Sequence, residues 1–178
     1  MKQTVFRSAD ADDVWQTPLD VFRYAERRWG PFQLDAAASA DNALCEKFID
    51  EKQDALKTAW DADQVWVNPP YGSQLKPFLQ RAVDQISKGN CKRVVMLIPA
   101  RTDAIYFHDL VFGKVSQIHF IKTRIKFTNA KKGCPDSGAN FASCFVVYDD
   151  TLPKKVTTGS WTEDPSTHVS FDAFFGSS

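Results

Sequence analysis

The chain has 178 residues, 43% of them hydrophobic, which is enough for one domain with its own core and excludes an intrinsically disordered protein. Its 22 basic and 22 acidic residues cancel, so the overall charge gives no support for nucleic-acid binding. No apolar run approaches the roughly 20 residues of a membrane span, and the first residues lack the apolar stretch of a signal peptide.

The four cysteines, Cys45, Cys91, Cys134 and Cys144, lie far apart and form no CxxC pair. The ligand spacing of a zinc site is missing, so we expect no metal ion. Reduced thiols are typical of cytoplasmic proteins, and we therefore expect a cytoplasmic location.

The first predicted element is a helix. Residues 1–14 show no periodic pattern and are predicted to form an N-terminal arm. Thr17 is a suitable N-cap, and Pro18 is a suitable first helical residue. Gly30 and the proline after it predict the end of this helix.

A strand is predicted next, over residues 32–35, followed by a turn of small residues and a helix capped near Ser39 or Asp41. Small side chains after a strand allow a ligand to approach the backbone closely. Asp35, Ala36 and Ala37 are therefore candidate ligand-binding residues. The alternative is a buried strand that leads into a helix, with a solvated carboxylate.

Two acids follow as weaker candidates. Asp50 ends a short predicted strand, residues 47–50, and an acid after a second strand often binds the hydroxyl pair of a ribose, a role for which the neighbouring Glu51 also qualifies. Asp54 opens the sequence Asp54-Ala55-Leu56 ahead of Trp60. A surface acid is an equally good interpretation of Asp54.

The most specific motif is Asn68-Pro69-Pro70-Tyr71, which follows the apolar run Val65-Trp66-Val67. The run predicts a strand, so Asn68 should lie at its carboxyl end, where open α/β sheets bind ligands. The two prolines fix a stiff turn that has no backbone donors of its own. The alternative is an ordinary proline turn with Tyr71 in the core.

These groups suit the activation of a planar amino group for attack on an electrophile. Such a nitrogen is a poor nucleophile because its lone pair is delocalised into the ring or carbonyl. The Asn68 side-chain oxygen and the Pro69 carbonyl can accept its two hydrogens, and Tyr71 can stack on the substrate. Catalysis then rests on positioning and preorganised acceptors, with no strong base.

The remaining elements alternate between helix and strand. Residues 75–87 have the periodicity of an amphipathic helix, and residues 93–99 form an apolar run typical of a central parallel strand. A helix is predicted from Asp103 to about Val111, and further strands over residues 116–121 and 143–148. This alternation predicts a layered α/β sheet.

One stretch, Leu110 to Pro135, contains no acidic residue. In an extended conformation, Lys122, Arg124 and Lys126 would face one side and Ile125 and Phe127 the other. Such a basic strip can bind phosphate although the total charge is zero, and a solvated basic face is the alternative. Lys131 and Lys132 extend the strip within a candidate DNA-contacting loop, residues 122–142. Phe127 either faces Tyr71 across a flipped base or belongs to the core.

Taken in order, five segments resemble the bacteriophage DNA N6-adenine methyltransferase (Dam-like) family. They are Trp15-Gln16-Thr17-Pro18, Leu34-Asp35-Ala36-Ala37, Asp54-Ala55-Leu56, the strand with Asn68-Pro69-Pro70-Tyr71, and Arg124-Ile125-Lys126-Phe127. The resemblance implies a single Rossmann-like methyltransferase domain over residues 15–150. It implies a mostly parallel seven-stranded sheet with an antiparallel last strand and helices on both faces. Residues 151–178 would form a C-terminal tail.

The resemblance also implies a reaction and a cofactor. S-adenosylmethionine would donate a methyl group to N6 of an adenine flipped out of DNA, in the cytoplasm of a bacterial host. Thr17 and Pro18 would open the cofactor pocket, with Ala36, Ala37 and Asn68 beside it. Asp35 would bind the methionine amino group or the ribose, Asp50 the ribose, and Asp54 the adenine of the cofactor. Related enzymes usually have glycines after the first strand, so the alanines here require a loop without positive φ.

Two other functions fit the same motif. It also serves enzymes that methylate a protein glutamine amide or an RNA guanine. A catalytically inactive methyltransferase-like module that binds DNA is the third hypothesis.

Overall fold

The computed structural model describes residues 15–129, 139, 141–164, 166 and 168–170. The helices are α1 (Leu19–Trp29), α2 (Leu75–Ser87) and a short π-helix (Phe107–Val111). The strands are β1 (Trp15–Gln16), β2 (Leu34–Asp35), β3 (Lys47–Phe48), β4 (Gln64–Val67), β5 (Arg93–Pro99), β6 (Gln117–Ile121), β7 (Thr128–Asn129), β8 (Ser143–Tyr148), β9 (Lys155–Gly159) and β10 (Val169–Ser170).

Eight of these strands form one mixed sheet in the order β10-β9-β6-β8-β5-β4-β2-β3. The strands from β3 to β5 are parallel to one another, and β9 is parallel to β6. Strand β8 lies between β5 and β6 and is antiparallel to both. The predicted single α/β domain with a largely parallel sheet and an antiparallel strand is therefore confirmed.

The sheet in the described part of the chain has eight strands, where seven were predicted. The antiparallel strand β8 is not the last, because β9 and β10 follow it and extend the sheet beyond β6. Both come from the segment interpreted as a tail from its Thr, Ser, Gly and Pro content. The tail also contacts α1, since the Trp161 indole donates a 2.9 Å hydrogen bond to the Asp20 carboxylate.

Helices cover both faces of the sheet. Successive residues of a strand point to opposite faces, and β4 follows this rule. Val65 and Val67 belong to a core with Leu79 of α2, whereas Trp66 belongs to a second core with Phe22 of α1. The central strands β5 and β8 are buried along almost their whole length, as expected for apolar runs covered on both faces.

The start of α1 differs by one position from the prediction. Leu19 is the first helical residue, and Pro18 is the N-cap, with φ −58° and ψ 139°. The Pro18 carbonyl accepts the first helical hydrogen bond from the Phe22 amide at 3.1 Å. Thr17 is therefore not the cap and is available for another role. The end of the helix before Gly30 is confirmed.

The helix predicted near Ser39 or Asp41 is absent, and turns occupy its place. The Asn42 side chain accepts a 2.7 Å hydrogen bond from the Ser39 amide. Asparagine often replaces helical hydrogen bonds with such local ones. The turns bring Leu44 back against the end of β2, where it contacts Asp35.

Candidate active site

A cleft opens at the carboxyl ends of β2 and β4, beside the entry to α1. Its lining comes from four separate segments of the chain. The residues are Gln16, Thr17, Asp35, Ala37, Asn42, Leu44, Trp66, Asn68, Pro69 and Pro70. The structure thus brings together Thr17, Asp35, Ala37 and the Asn-Pro-Pro turn, which the sequence analysis selected independently.

Asp35 is buried in the wall of this cleft, with 3% of its surface exposed. Its carboxylate accepts hydrogen bonds from the amides of Ala37 at 3.3 Å and Leu44 at 3.2 Å. Burial raises the pKa of Asp35 to about 6, although these two hydrogen bonds oppose the increase. Among the described residues, no cationic side chain forms an ion pair with Asp35. The carboxylate is therefore suited to a ligand that brings a positive charge or hydrogen-bond donors.

The loop after Asp35 is built without positive φ. Asp54 is the one non-glycine residue of the described chain with positive φ, so the alanines adopt ordinary backbone conformations, as predicted. The Ala36 amide donates to the Trp66 carbonyl at 3.0 Å and continues the pairing of β2 with β4. Ala36 itself is buried in the core on the α2 side and does not line the cleft. Ala37 does line it.

Within the Asn-Pro-Pro-Tyr turn, the tyrosine side chain orients the asparagine side chain through a hydrogen bond. The Tyr71 hydroxyl donates a 2.9 Å hydrogen bond to Asn68 Oδ1 and lies 3.4 Å from the Leu97 carbonyl oxygen. Tyr71 is buried, and burial raises the pKa of its phenol well above the ordinary value, so it remains a donor. The hydrogen bond fixes the direction of the Asn68 carboxamide at the mouth of the cleft.

The ring of Tyr71 lies in an aromatic cluster. Phe127 contacts it edge-on, with ring centroids 6.1 Å apart, and Phe141 does so at 5.5 Å. Phe127 is fully buried, so it belongs to the core in this structure. A base could lie between Tyr71 and Phe127 only if one of the two rings moved. Stacking of Tyr71 on a substrate stays a prediction.

Besides Ala36, three further predicted cofactor residues lie outside the cleft lining. Asp50 closes a turn with Gln53 through a 2.9 Å hydrogen bond and lines a different surface depression. Asp54 forms a 2.8 Å ion pair with Lys57 and accepts a hydrogen bond from the Leu56 amide. Pro18 serves as the cap of α1.

The basic strip has the predicted alternation. Arg124 and Lys126 are exposed, and Ile125 and Phe127 are buried. Lys122 is also exposed but forms a 3.1 Å ion pair with Glu163 of the tail. Lys131 and Lys132 lie outside the described residues.

The strip leads directly to the cleft. The residues directly after Phe127 form β7, which pairs with β1, and Thr128 lies opposite Gln16 in this ladder. The Thr128 hydroxyl also donates a 3.3 Å hydrogen bond to the Gln16 side chain. Since Gln16 lines the cleft, this ladder connects the end of the basic strip with the cleft.

Four lining residues were not predicted from the sequence. Trp66 lies two residues before Asn68, so strand alternation alone would have placed both on one face of the sheet. Gln16 directly precedes Thr17. Asn42 and Leu44 gave no usable signal, because their segment was interpreted as a helix.

The described residues contain neither a membrane-spanning helix nor a cluster of metal ligands. No helix there is long and apolar enough to cross a bilayer. No group of three or more His, Cys, Asp or Glu side chains within those ranges converges as metal ligands do.

Comparison with known proteins gives two phage relatives. A protein of Escherichia phage T1, described as a DNA N-6-adenine-methyltransferase, is 41% identical over 96 residues, which cover 53% of this chain and 39% of the relative. A protein of Haemophilus phage HP1 with the same description is 32% identical over 142 residues, or 79% of this chain and 81% of the relative. The chain thus spans about two fifths of the T1 relative and most of the HP1 relative.

A family model matches most of the chain. The model describes DNA N-6-adenine-methyltransferase (Dam), and it matches residues 6–167. The match includes the cleft, the Asn-Pro-Pro-Tyr turn and the basic strip. The chain therefore belongs to the DNA N-6-adenine-methyltransferase (Dam) family.

Proposed function

We propose that this protein transfers a methyl group from S-adenosylmethionine to N6 of adenine in DNA. The observation that carries the proposal is the Asn68 carboxamide, which the Tyr71 hydroxyl orients beside a cleft that contains a buried carboxylate. Family membership supports the same activity. Both relatives come from bacteriophages, which supports a reaction in the cytoplasm of a bacterial host.

The cleft has a donor set that fits the cofactor. A buried Asp35 carboxylate without an ion-pair partner in the described chain suits the positively charged amino group of S-adenosylmethionine. Thr17, Ala37 and Asn68 would complete the binding site from neighbouring segments. When bound, the cofactor supplies a methyl group on a positively charged sulfur, which makes it an electrophile.

Asn68 prepares the adenine amino group for attack. A carboxamide oxygen can accept two hydrogen bonds, so Asn68 Oδ1 can bind the Tyr71 hydroxyl and the amino group together. The Pro69 carbonyl would accept the second hydrogen of that group. Both hydrogens are then held in the plane of the acceptors, and the nitrogen lone pair points toward the methyl group. After transfer the nitrogen is strongly acidic, and its extra proton passes to solvent without a protein base.

The basic strip would hold the DNA around the target base. Arg124 and Lys126 face solvent and can meet phosphates, and Lys131 and Lys132 would continue this track. Lys122 can join them if it leaves Glu163. This exchange costs little, because an exposed ion pair contributes little to stability. The adenine must leave the helix to reach Asn68, because N6 is not accessible to the cleft inside a duplex.

The test is transfer of labelled methyl groups from S-adenosylmethionine into separate pools of DNA, RNA and protein. We expect label in DNA alone, recovered as N6-methyladenine by mass spectrometry of the nucleosides. The Asn68→Ala variant should lose several kcal/mol of transition-state stabilisation, by analogy with the ~2.7–4 kcal/mol of a single preorganised group. Label that appeared only in RNA or protein would overturn the choice of substrate, and full activity of folded Asn68→Ala would overturn the mechanism.

A further inference from the structure

The wall of the cleft contains a hydrogen-bond donor that nothing in the described chain satisfies. Trp66 lines the cleft and is fully buried, and its indole Nε1 has no hydrogen-bond partner among the described residues. A buried polar group without a partner destabilises a fold unless a ligand or water completes it. An indole N–H can only donate, so its missing partner is an acceptor.

The position of this donor relative to Asp35 is defined by the sheet. Trp66 and Asp35 are register partners on the neighbouring parallel strands β4 and β2, so their side chains leave the same face. Both line the same cleft. Asp35 accepts from the Ala37 and Leu44 amides, and the Trp66 indole does not bond to it. The wall of the cleft therefore contains, on neighbouring strands, one anionic acceptor and one indole donor without a partner in the described chain.

The ring of Trp66 has little freedom to turn toward another partner. It packs edge-on against Phe22 of α1, with centroids 5.4 Å apart, and also contacts Phe32 at 5.7 Å and Phe145 at 6.3 Å. These contacts fix the indole plane in the core under α1. The N–H is consequently preorganised before any ligand binds.

We propose that Trp66 binds the α-carboxylate of the cofactor, while Asp35 binds the ammonium group on the same carbon. An adjacent acceptor and donor match the two charged groups of an amino acid. A ribose in this position would leave the Trp66 N–H without its acceptor, because Asp35 alone can bind the ribose hydroxyls. The inference rests on the proposed function, since it names the part of S-adenosylmethionine that enters this end of the cleft.

Calorimetry with two ligands tests the assignment. S-adenosylhomocysteine carries the amino acid group, and 5′-methylthioadenosine has the same nucleoside and sulfur without it. Trp66→Phe keeps a packed ring and removes the N–H, so we expect affinity for S-adenosylhomocysteine to fall about tenfold or more. Affinity for methylthioadenosine should not change. Equal losses for both ligands, or no loss for either, would overturn the proposal.

A matched control is available in Trp60, which is also fully buried but donates its indole N–H to the Ala55 carbonyl at 3.0 Å. Trp60→Phe should lower stability and leave the affinities for both ligands as in the wild type. If wild-type protein bound neither ligand, the proposed function itself would fail, and this outcome differs from a failure of the Trp66 assignment.

A second measurement does not depend on the folding of a variant. The chain has five tryptophans, so the Trp66 indole resonance can be assigned individually in a protein of this size. S-adenosylhomocysteine should shift the Trp66 indole proton downfield, as a hydrogen bond to a carboxylate does. Methylthioadenosine should leave that resonance in place. A resonance that responded equally to both ligands would exclude the carboxylate contact.

Discussion

The Tyr71 hydroxyl lies 2.9 Å from Asn68 Oδ1, so the last residue of the Asn-Pro-Pro-Tyr turn holds the first. The tyrosine is buried against Phe127 and Phe141, and its ring position is set by the core. The direction of the Asn68 amide is therefore coupled to packing on the α1 side of the sheet. Under the proposed mechanism, Tyr71 is a positioning residue for Asn68 in addition to any contact with the substrate.

This coupling predicts the effect of Tyr71→Phe. The variant keeps the ring and removes the hydrogen bond to Asn68, which typically contributes about 1 kcal/mol. We expect kcat to fall about five- to tenfold with little change in the affinity for S-adenosylhomocysteine. Steady-state methylation of DNA and calorimetry measure the two quantities.

The control for this variant is Tyr106→Phe, because the Tyr106 hydroxyl is buried without a hydrogen-bond partner in the described chain. Its removal should leave kcat unchanged. If both variants lost activity equally, loss of a buried hydroxyl in general, and not the orientation of Asn68, would explain the result.

Asp35 predicts a pH dependence of stability. Burial raises its pKa from 3.8 to about 6, so between these values the folded protein holds a proton that the unfolded chain has released. This group therefore contributes full stability below about pH 4, and the contribution is lost as pH rises to about 6. Asp35→Asn cannot ionise and escapes this loss.

Urea unfolding of the wild type and Asp35→Asn at several pH values measures the effect. Relative to the wild type, the variant should gain up to about 3 kcal/mol between pH 4 and pH 7, with no further gain above pH 7. Other titrating groups cancel in this difference. A difference between the two proteins that stayed constant from pH 4 to pH 7 would show that Asp35 is not desolvated in the folded protein.

The basic strip predicts how DNA affinity depends on salt. Lys131→Ala combined with Lys132→Ala should weaken DNA binding for every sequence and flatten the plot of log affinity against log salt. Each lost phosphate contact should change the slope by about 0.9. Affinity for S-adenosylhomocysteine should be unaffected, because neither lysine belongs to the proposed cofactor site.

Lys88 and Lys92 provide the matched control. Both are exposed and lie between the end of α2 and the start of β5. The amino-terminal end of β5 is at the opposite end of the parallel strands from the cleft. Their double alanine variant removes the same charge and should keep the full salt slope. Equal slopes in the two double variants would mean that the loop does not contact DNA.

Substitution of Arg93 is expected to lower the free energy of unfolding strongly without changing methylation activity. Its guanidinium lies 2.7 Å from the buried Asp149 carboxylate and donates a 2.8 Å hydrogen bond to the Trp29 carbonyl at the end of α1. Arg93→Met leaves Asp149 buried without its cation, which typically lowers the free energy of unfolding by about 3–5 kcal/mol.

Chemical denaturation measures this loss. A double variant, Arg93→Met with Asp149→Leu, should recover much of it, because no charge is then left unpaired. Methylation by the folded single variant should be near normal, because Arg93 lies at the amino-terminal end of β5 and the cleft lies at the carboxyl ends of the parallel strands. A single variant as stable as the wild type would contradict this account of the ion pair.

Parts of the fold were predictable because one local pattern determined them. The periodicity of residues 75–87 predicted α2 with its observed bounds, and the apolar runs predicted β5 and β8. Asp35 and Asn68 were predicted as site residues because Asp35 ends one short strand, Asn68 follows another, and both have polar side chains.

Other parts depended on contacts between distant segments. The turns around Asn42 are determined by a side-chain hydrogen bond that competes with a helix. Strand β9 was not predicted because its Thr-rich sequence has no strand pattern of its own and becomes a strand through pairing with β6. Asp50 and Asp54 look like site residues by position in the chain, yet local turns occupy their carboxylates.

The place of β8 in the sheet has a consequence for synthesis of the protein. In the described structure, β6, β9 and β10 are joined to β5 and its parallel neighbours only through β8. In a nascent chain that has not yet reached residue 148, the hydrophobic strand β5 therefore lacks its hydrogen-bonding partner on the side away from β4. An unpaired strand of this kind is prone to aggregation. Folding must wait for a strand made after β6 to insert beside β5. Because such non-local pairing is slow, we expect truncation within residues 143–148 to yield a chain retained by chaperones, not a smaller folded domain.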